Sequence, residues 1–559
     1  MVFDTWFSIP GFRYLNRLCL GIRSDISVNK ACICLFIDLE KAFDSIWKRG
    51  LIVKLKKMGI RGNVLNLIDH FLTSRKVALK VNGSKGNARD GADVGVPQGS
   101  VLSPILFKIF MMDFLEELTS RKDIVLYKFA DDGTIKISAN STKNCLDTLQ
   151  IVMKAVNNWA FKWRMVINCD PNKTEVICFH TSENDRRLIP LRYKLGDKTV
   201  KLVSQTKVLG LIIDEDLTFS QHAEMIYNKL VAKWVLICNS CNRQWGFTQR
   251  IMVQLLRTLF LSTLLYGSHI WMSRNNMKEI NKLYYKMIKS TVGAVFNVKH
   301  SICELIVGIP PIHIQNTVNQ LKHYLKVIIN RSPDDQLLKF IKSHTSSERQ
   351  QPADLKIALK HVFQFLQWKV KVHDAHFTVE DKEIIQQRDQ SKFCELSQKS
   401  SSYNKSDIIN YTELLWTESI RNEFMCEGHS IIPKPSCKPL PLQNTIRRET
   451  EVLLMSQLYE NNLLNGFVHK MQVRDCESPL CYCGDAVQTS THILFECKQI
   501  PQETRDIAAQ SLQEVIGLVE PDNLNNIAIL NGIRDKNFIT AVLNIIYMHG
   551  DNLRKTIEL

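Results

Sequence analysis

The chain has 559 residues, with 72 Lys and Arg against 56 Asp and Glu, a formal charge of +16 at pH 7. With 45% apolar and 23% charged residues it is too apolar for a disordered chain, and 23 glycines and 16 prolines exclude a collagen-like or linker-dominated one. The basic balance favours an acidic partner, nucleic acid first and an anionic membrane surface second, with a basic enzyme that binds no polyanion as the plain alternative.

The amino-terminal MVFDTWFSIPGFRYLNR lacks a basic segment followed by an apolar one, so no secretory signal is expected. An intracellular location, in nucleus or cytoplasm, follows as the expectation, with the 16 cysteines mostly reduced core residues. Residues 32–37 (CICLFI) read as a buried central strand ending at Asp38. From Ser45 to Met58 the apolar positions Ile46, Trp47, Leu51, Ile52 and Leu55 recur at helical spacing, with Gly59 as the stop. The basic remainder of that helix either follows a duplex backbone or is a solvated face. A second helix is expected over Val64–Leu72 and a hairpin around Asn82–Gly86.

Ser103-Pro104 opens a further helix, the serine as cap and the proline in the first turn, and apolar content extends the buried element to Leu118. VLYKFADDGTIKIS (125–138) reads as two strands around Asp131-Asp132-Gly133, with Asp-Gly as the tight-turn signal. A helix near Leu146–Trp163, a sheet-like stretch ending at VLGLIID (208–214) and a helical region from Ser220 to Val298 follow. The uncharged run Thr258–Ser273 is too short to span a membrane and carries Ser262, Thr263, Gly267, Ser268 and His269, so it predicts a buried core helix. Residues 301–440 stay helical but polar, with SQKSSSYNKSD (397–407) as a linker.

Three acids stand where apolar strands end: Asp38, Asp131 and Asp132. Carboxylates converging from one sheet can hold two divalent cations for phosphoryl or nucleotidyl transfer; taken singly, each segment reads better as a turn or a cap. Together, FIDLEKAFDSIW (36–47), GVPQGSVLSPILF (95–107) and FADD (129–132) resemble motifs A, B and C of reverse transcriptases in the style of non-LTR retrotransposons. NKTEVICF (172–179), VLGLIID (208–214) and LLYGSHIW (264–271) resemble, in order, the motif bearing a lysine near the nucleotide, the primer grip and the thumb of the same elements.

The resemblance implies that Asp38, Asp131 and Asp132 bind two Mg²⁺ ions, with Mn²⁺ as a substitute, and that a primer 3′-hydroxyl attacks the α-phosphate of a dNTP on an RNA template. It implies that Phe43 blocks a ribose 2′-hydroxyl, against the alternative of a core aromatic spaced from Trp47. Pro97, Gln98 and Gly99 would approach nucleotide and template, and Lys173 would neutralise or protonate pyrophosphate, or be an ordinary surface lysine.

Near the end, Cys481, Cys483, His492 and Cys497 form C-x-C-x8-H-x4-C, a three-thiolate, one-imidazole set suited to Zn²⁺, with Gly484 allowing a tight turn and Cys476 as a substitute ligand. Buried reduced cysteines are the alternative. The segment 478–500 resembles the carboxy-terminal cysteine–histidine motif of non-LTR elements.

The expected architecture is α+β. A fingers remnant covers 1–30, a reverse transcriptase palm (antiparallel sheet with packed helices) 31–215 and a helical thumb 216–300. A helical connector follows at 301–440, and a small zinc-binding unit at 441–559. Only 37 residues precede Asp38, so most of the fingers, and any amino-terminal endonuclease, are expected to be missing. The expected function is an RNA-directed DNA polymerase with RNA template, DNA primer or target and dNTPs as partners and no membrane; the alternative is a catalytically inactive, truncated remnant that binds RNA or DNA.

Overall fold

The computed structural model describes residues 10–91, 94–179, 186–187, 189–239, 246–273, 275–294, 298–329, 360–362, 364–369, 405–426, 435–437, 469, 478–516 and 536–548. These fall into two compact units, one over Ser8–His222 and one taking the described residues from Ala223 onward. The fold class is mixed α+β, a sheet with packed helices.

The first unit is built on a six-stranded sheet. Its strands are β1 (Ala31–Ile37), β6 (Ile124–Phe129), β7 (Asp132–Ala139), β8 (Glu175–Phe179), β9 (Arg192–Leu195) and β10 (Lys198–Leu202), in the order β6-β7-β1-β8-β10-β9. The apolar run 32–37 becomes the central strand because both its neighbours and the covering helices bury it: Ile33, Cys34 and Leu35 are wholly inaccessible. Pairing is antiparallel except for the β8–β10 pair.

Helix α1 (Pro10–Ser27) is anchored to the sheet by a buried ion pair from Asp25 to Lys136, and Ser138 Oγ donates to the same carboxylate at 2.5 Å. Helix α5 (Thr142–Trp163), capped by Ser141 accepting the Asn144 N–H, lays Leu149, Val152, Val156 and Trp159 into the core.

Several local expectations were displaced by tertiary contacts. The element opening at Ser103 is a helix, α4, only to Phe110, and a 3₁₀ turn at Glu116–Leu118 follows separately. Ser103 is inside the helix and donates to the Pro97 carbonyl at 2.6 Å instead of capping. The break is held by two lysines that satisfy carbonyls at and beyond the helix end: Lys54 donates to the Phe110 carbonyl and Lys128 to that of Phe114 at 2.7 Å.

Lys54 lies on α2 (Lys48–Lys57), the basic helix after Asp38. It pairs with Asp113 at 2.6 Å and sits 3.7 Å from the Trp163 ring centroid, so only part of that helix's charge, Arg49, Lys56 and Lys57, faces water. Burial pushes the Lys54 ammonium down to about 8, against the pull of Asp113.

Helix α3 (Gly62–Thr73) leads to a two-stranded ribbon of β2 (Lys76–Val77), β3 (Lys80–Val81), β4 (Ser84–Lys85) and β5 (Arg89–Asp90). The anticipated hairpin turns on Asn82-Gly83, with φ 48° and 86°. A last hairpin, β11 (Gln205–Val208) and β12 (Leu211–Asp214), completes the unit.

The second unit is helical, with helices at Lys278–Val292, His300–Val307, Ile312–Ile329, Lys405–Cys426, Gln502–Ile516 and Lys536–Met548 among others. The apolar run 258–273 is not one helix: a π-helical stretch over Leu256–Leu261 and a short turn of α-helix end before Gly267, whose φ of 62° starts a new turn at Ser268–Trp271. Of the expected linker, 397–404 lie outside the described residues, while Lys405–Asp407 begin a helix, with Asp407 buried 3.7 Å from Lys369. No helix among the described residues is long and apolar enough to cross a membrane.

Candidate active site and metal centre

Asp38 follows the last residue of β1, and Asp132 is the first residue of β7. Ile37 pairs with Gly133 across the antiparallel ladder, so one step further along Asp38 stands opposite Asp132 at the same end of two adjacent central strands. Both line a cleft of about 180 Å³ with Lys173, Asn172, Tyr14 and the β11–β12 hairpin from Thr206 to Gly210.

The connection between β6 and β7 is Ala130-Asp131, because Phe129 pairs with Asp132; Ala130 takes φ 51°. The expected Asp132-Gly133 turn is therefore shifted. Those two residues pair within β7, since the apolar alternation of Ile135 and Ile137 sets the register. Asp131 stays at the hairpin tip. Burial first, then the charges of Asp131 and Asp38, pushes the Asp132 carboxyl up to about 6, with Lys173 opposing.

Asp38 is held by one short segment. Asn168 Nδ2 donates to Asp38 Oδ2 at 3.0 Å, Lys173 Nζ lies 3.5 Å from the same oxygen, and the Asp38 N–H donates to Thr174 Oγ1 at 3.2 Å. The Asn168 N–H donates to the Asp38 carbonyl at 2.9 Å, adding a backbone tie. Glu175, buried at the start of β8, accepts from Thr206 Oγ1 at 2.6 Å and so fixes the neighbouring hairpin that lines the cleft. Asn168, Thr174, Glu175 and Thr206 were not picked out by sequence reasoning. The motif around Lys173 was the only local signal near them.

Pro97, Gln98, Gly99 and Phe43 are not among the residues lining this cleft; Gln98 meets Asp44 instead, and the backbone at Phe43 meets Val96. Gln98 Nε2 donates to both Asp44 oxygens, at 3.2 and 3.1 Å, and the Val96 N–H donates to the Phe43 carbonyl at 2.9 Å. Gly95 takes φ 85°, and a Cβ there would sit 2.6 Å from the Asp44 carbonyl oxygen, so this approach of two segments requires glycine. The Phe43 ring, half-buried, stacks on Phe107 with centroids 4.5 Å apart.

Two carboxylates with one neighbouring lysine leave negative charge uncompensated in a confined cleft, and oxygen donors of this kind fit a hard divalent cation.

In the second unit the ligand atoms of Cys481, Cys483, His492 and Cys497 all lie within 4.8 Å of one another. Cys481 Sγ and Cys497 Sγ are 3.8 Å apart and Cys483 Sγ is 3.2 Å from His492 Nε2. A tetrahedral site with metal–sulfur bonds of about 2.3 Å has S···S edges of about 3.8 Å, so the quartet fits Zn²⁺. Gly484 at φ 79° turns the chain, and its N–H donates to the Cys481 carbonyl at 2.8 Å. The Asp485 N–H holds the Cys483 thiol down to about 7, while burial pushes Cys481 up to about 12. Cys476 lies outside the described residues.

Residues 4–213 match the reverse transcriptase (RNA-dependent DNA polymerase) family. That segment carries the acid cleft. The similar proteins include RNA-directed DNA polymerases of a transposon and a mobile element and a Pol polyprotein of a retrotransposable element.

The chain is 26% identical over 291 residues to the probable RNA-directed DNA polymerase from transposon BS of Drosophila melanogaster, covering 51% of this chain and 32% of that protein. To the polymerase of the mobile element jockey of Drosophila funebris it is 25% identical over 327 residues, covering 55% and 34%. To the retrovirus-related Pol polyprotein of the type-1 retrotransposable element R1 of Bradysia coprophila it is 27% identical over 255 residues, covering 45% and 24%. The chain thus spans about a third or less of the length of these relatives. Among solved structures, apo telomerase from Candida tropicalis aligns at a TM-score of 0.31 and 11% identity over 69% of this chain and 57% of that one, a likeness too slight to argue from.

Proposed function

We propose that this chain is an RNA-directed DNA polymerase of a non-LTR retrotransposon, extending a DNA primer on an RNA template with dNTPs. The observation that carries the reading is the facing of Asp38 and Asp132 on adjacent strands of one cleft, within the segment matching the reverse transcriptase family. In this reading the sheet and its helices are the palm, 216–300 the thumb, 301–440 a connector and 441–559 a zinc-binding unit for nucleic acid.

Asp38, Asp132 and Asp131 would hold two Mg²⁺ or Mn²⁺ ions, which supply charge neutralisation at the attacking and leaving oxygens. Asn168 orients Asp38 by engaging one carboxylate oxygen, leaving the other free to ligate. As the primer 3′-hydroxyl attacks the α-phosphate, the bond to pyrophosphate breaks, and Lys173, at the edge of the cleft, is placed to neutralise the departing oxygen or give it a proton. Phe43, braced on Phe107, would exclude a ribose 2′-hydroxyl. Gln98, aimed by Asp44, would meet the incoming nucleotide, with Pro97 and Gly99 shaping the loop.

Primer extension on an RNA template with Mg²⁺ and dNTPs tests the proposal. Wild type should synthesise DNA, and Asp131→Asn should abolish synthesis with RNA binding nearly unchanged. Absence of synthesis by wild type, with salt-sensitive RNA binding retained, would replace the polymerase by a nucleic-acid-binding remnant.

A further inference from the structure

The ribbon at residues 75–90 has no role in the chemistry above, yet its composition and exposure are unusual. Arg75, Lys76, Lys80, Lys85 and Arg89 stand against a single acid, Asp90. Every residue of β2 to β5 is exposed. Asn82 and Gly83, both at positive φ, close the tip in the turn type that matches strand twist.

Lys80 pairs with Lys85 and Val77 with Arg89, with two residues between these pairs on one strand and three on the other, so the ribbon carries a one-residue bulge that strengthens its twist. Alternation places Lys76 and Lys80 on one face, joined across the ribbon by Lys85 and by the single acid Asp90 opposite Lys76, and Val77, Leu79 and Val81 on the other.

Two features make this a poor arrangement for a ribbon left alone in water. Lysines directly opposite one another repel, and no ion pair to Lys76, Lys80, Lys85 or Arg89 is present among the described residues. A free two-stranded ribbon is also marginally stable without a supporting layer. Both costs fall when a polyanion lies along the lysine face. Lysines at alternate positions of one exposed face can reach successive phosphates of a duplex backbone, a contact that needs charge and no entry into a groove.

We infer that this ribbon is a duplex-binding arm whose Lys76, Lys80 and Lys85 contact the phosphate backbone of a bound nucleic-acid duplex. The inference rests on the polymerase reading only in taking the polyanion to be a duplex. It needs no catalysis.

The test uses the full chain and a fluorescent RNA–DNA hybrid, without Mg²⁺ or dNTPs, and follows anisotropy between about 50 and 200 mM KCl. The triple variant Lys76→Gln/Lys80→Gln/Lys85→Gln should lower the slope of log Kd against log salt by about 2–3, at roughly 0.9 per lost phosphate contact. Since these side chains are exposed, its melting curve should match wild type. An unchanged slope and affinity would overturn the inference. So would loss of hybrid binding in Val77→Ser/Leu79→Ser/Val81→Ser with none in the lysine variant, which would make the apolar face, not the lysine face, the one that binding requires. A chain that binds the hybrid through these lysines but fails in primer extension would refute the polymerase and leave the arm standing.

Discussion

Replacing Asp132 by Asn separates what the acid cleft costs the fold from what it holds. In the metal-free protein, burial and the neighbouring carboxylates raise this carboxyl from 3.8 to about 6. At about 1.4 kcal/mol per pH unit, that corresponds to a ceiling of about 3 kcal/mol against the ionised form, and screening at a partly exposed group brings it to about 1–2 kcal/mol. The sign follows from linkage. A carboxyl raised on folding binds protons in the native state that the unfolded chain has already lost, so stability falls as pH rises from about 4 to 6 and is level above.

Asp132→Asn removes this titration. At pH 7.5 without metal it should therefore be more stable than wild type, with the difference growing between about pH 4 and 6 and then constant. Hydrogen exchange of peptides covering β1 and β7 reads this within the sheet-bearing unit, independent of the helical one. Mg²⁺ at ten times its Kd should stabilise wild type by about 1.4 kcal/mol and leave the variant unmoved, narrowing or reversing the order. A variant no more stable than wild type in metal-free buffer at pH 7.5, or a difference indifferent to pH, would refute the reasoning.

Two further outcomes follow from the same contacts. Asn168→Ala removes the 3.0 Å amide bond to Asp38 and should raise the Mg²⁺ needed for half-maximal primer extension about tenfold, with hybrid affinity in metal-free buffer unchanged. A shift in both would make Asn168 merely structural. The purified chain should contain one zinc per molecule by elemental mass spectrometry. Cys497→Ser, which removes a wholly buried thiolate, should lose most of it, and acidification below about pH 5 should release the metal as its ligands protonate. A metal-free wild type that is fully folded would overturn the zinc assignment.

Elements whose signals lie within a few residues were legible in the chain itself. CICLFI is strand because every side chain in it is apolar, Asn82-Gly83 is a turn because both residues tolerate positive φ, and the region after Ser220 is helical by periodicity. The cysteine–histidine spacing likewise announced a cluster whose possible ligand atoms the fold gathers within 4.8 Å of one another. Readings failed where a distant partner outweighed local preference. The helix from Ser103 stops at Phe110, where Lys54 of α2 takes the last helical carbonyl and Lys128 of β6 takes that of Phe114 beyond it. Lys54, on a helix that reads as a basic face, is drawn into a cage of Trp163, Trp159 and Phe110.

By itself, then, the sequence determined which chemical groups are present and the local conformations around them: acids at strand ends, a glycine-bearing loop before a helix, thiols near an imidazole. Only the tertiary structure decided which of them meet. That Asp38 faces Asp132 depends on the register of strands about a hundred residues apart, and that Asn168 and Lys173 share one oxygen of Asp38 depends on a chain reversal beyond α5. The elevated Asp132 carboxyl belongs to the fold as well, since desolvation and carboxylate repulsion exist only after those segments pack.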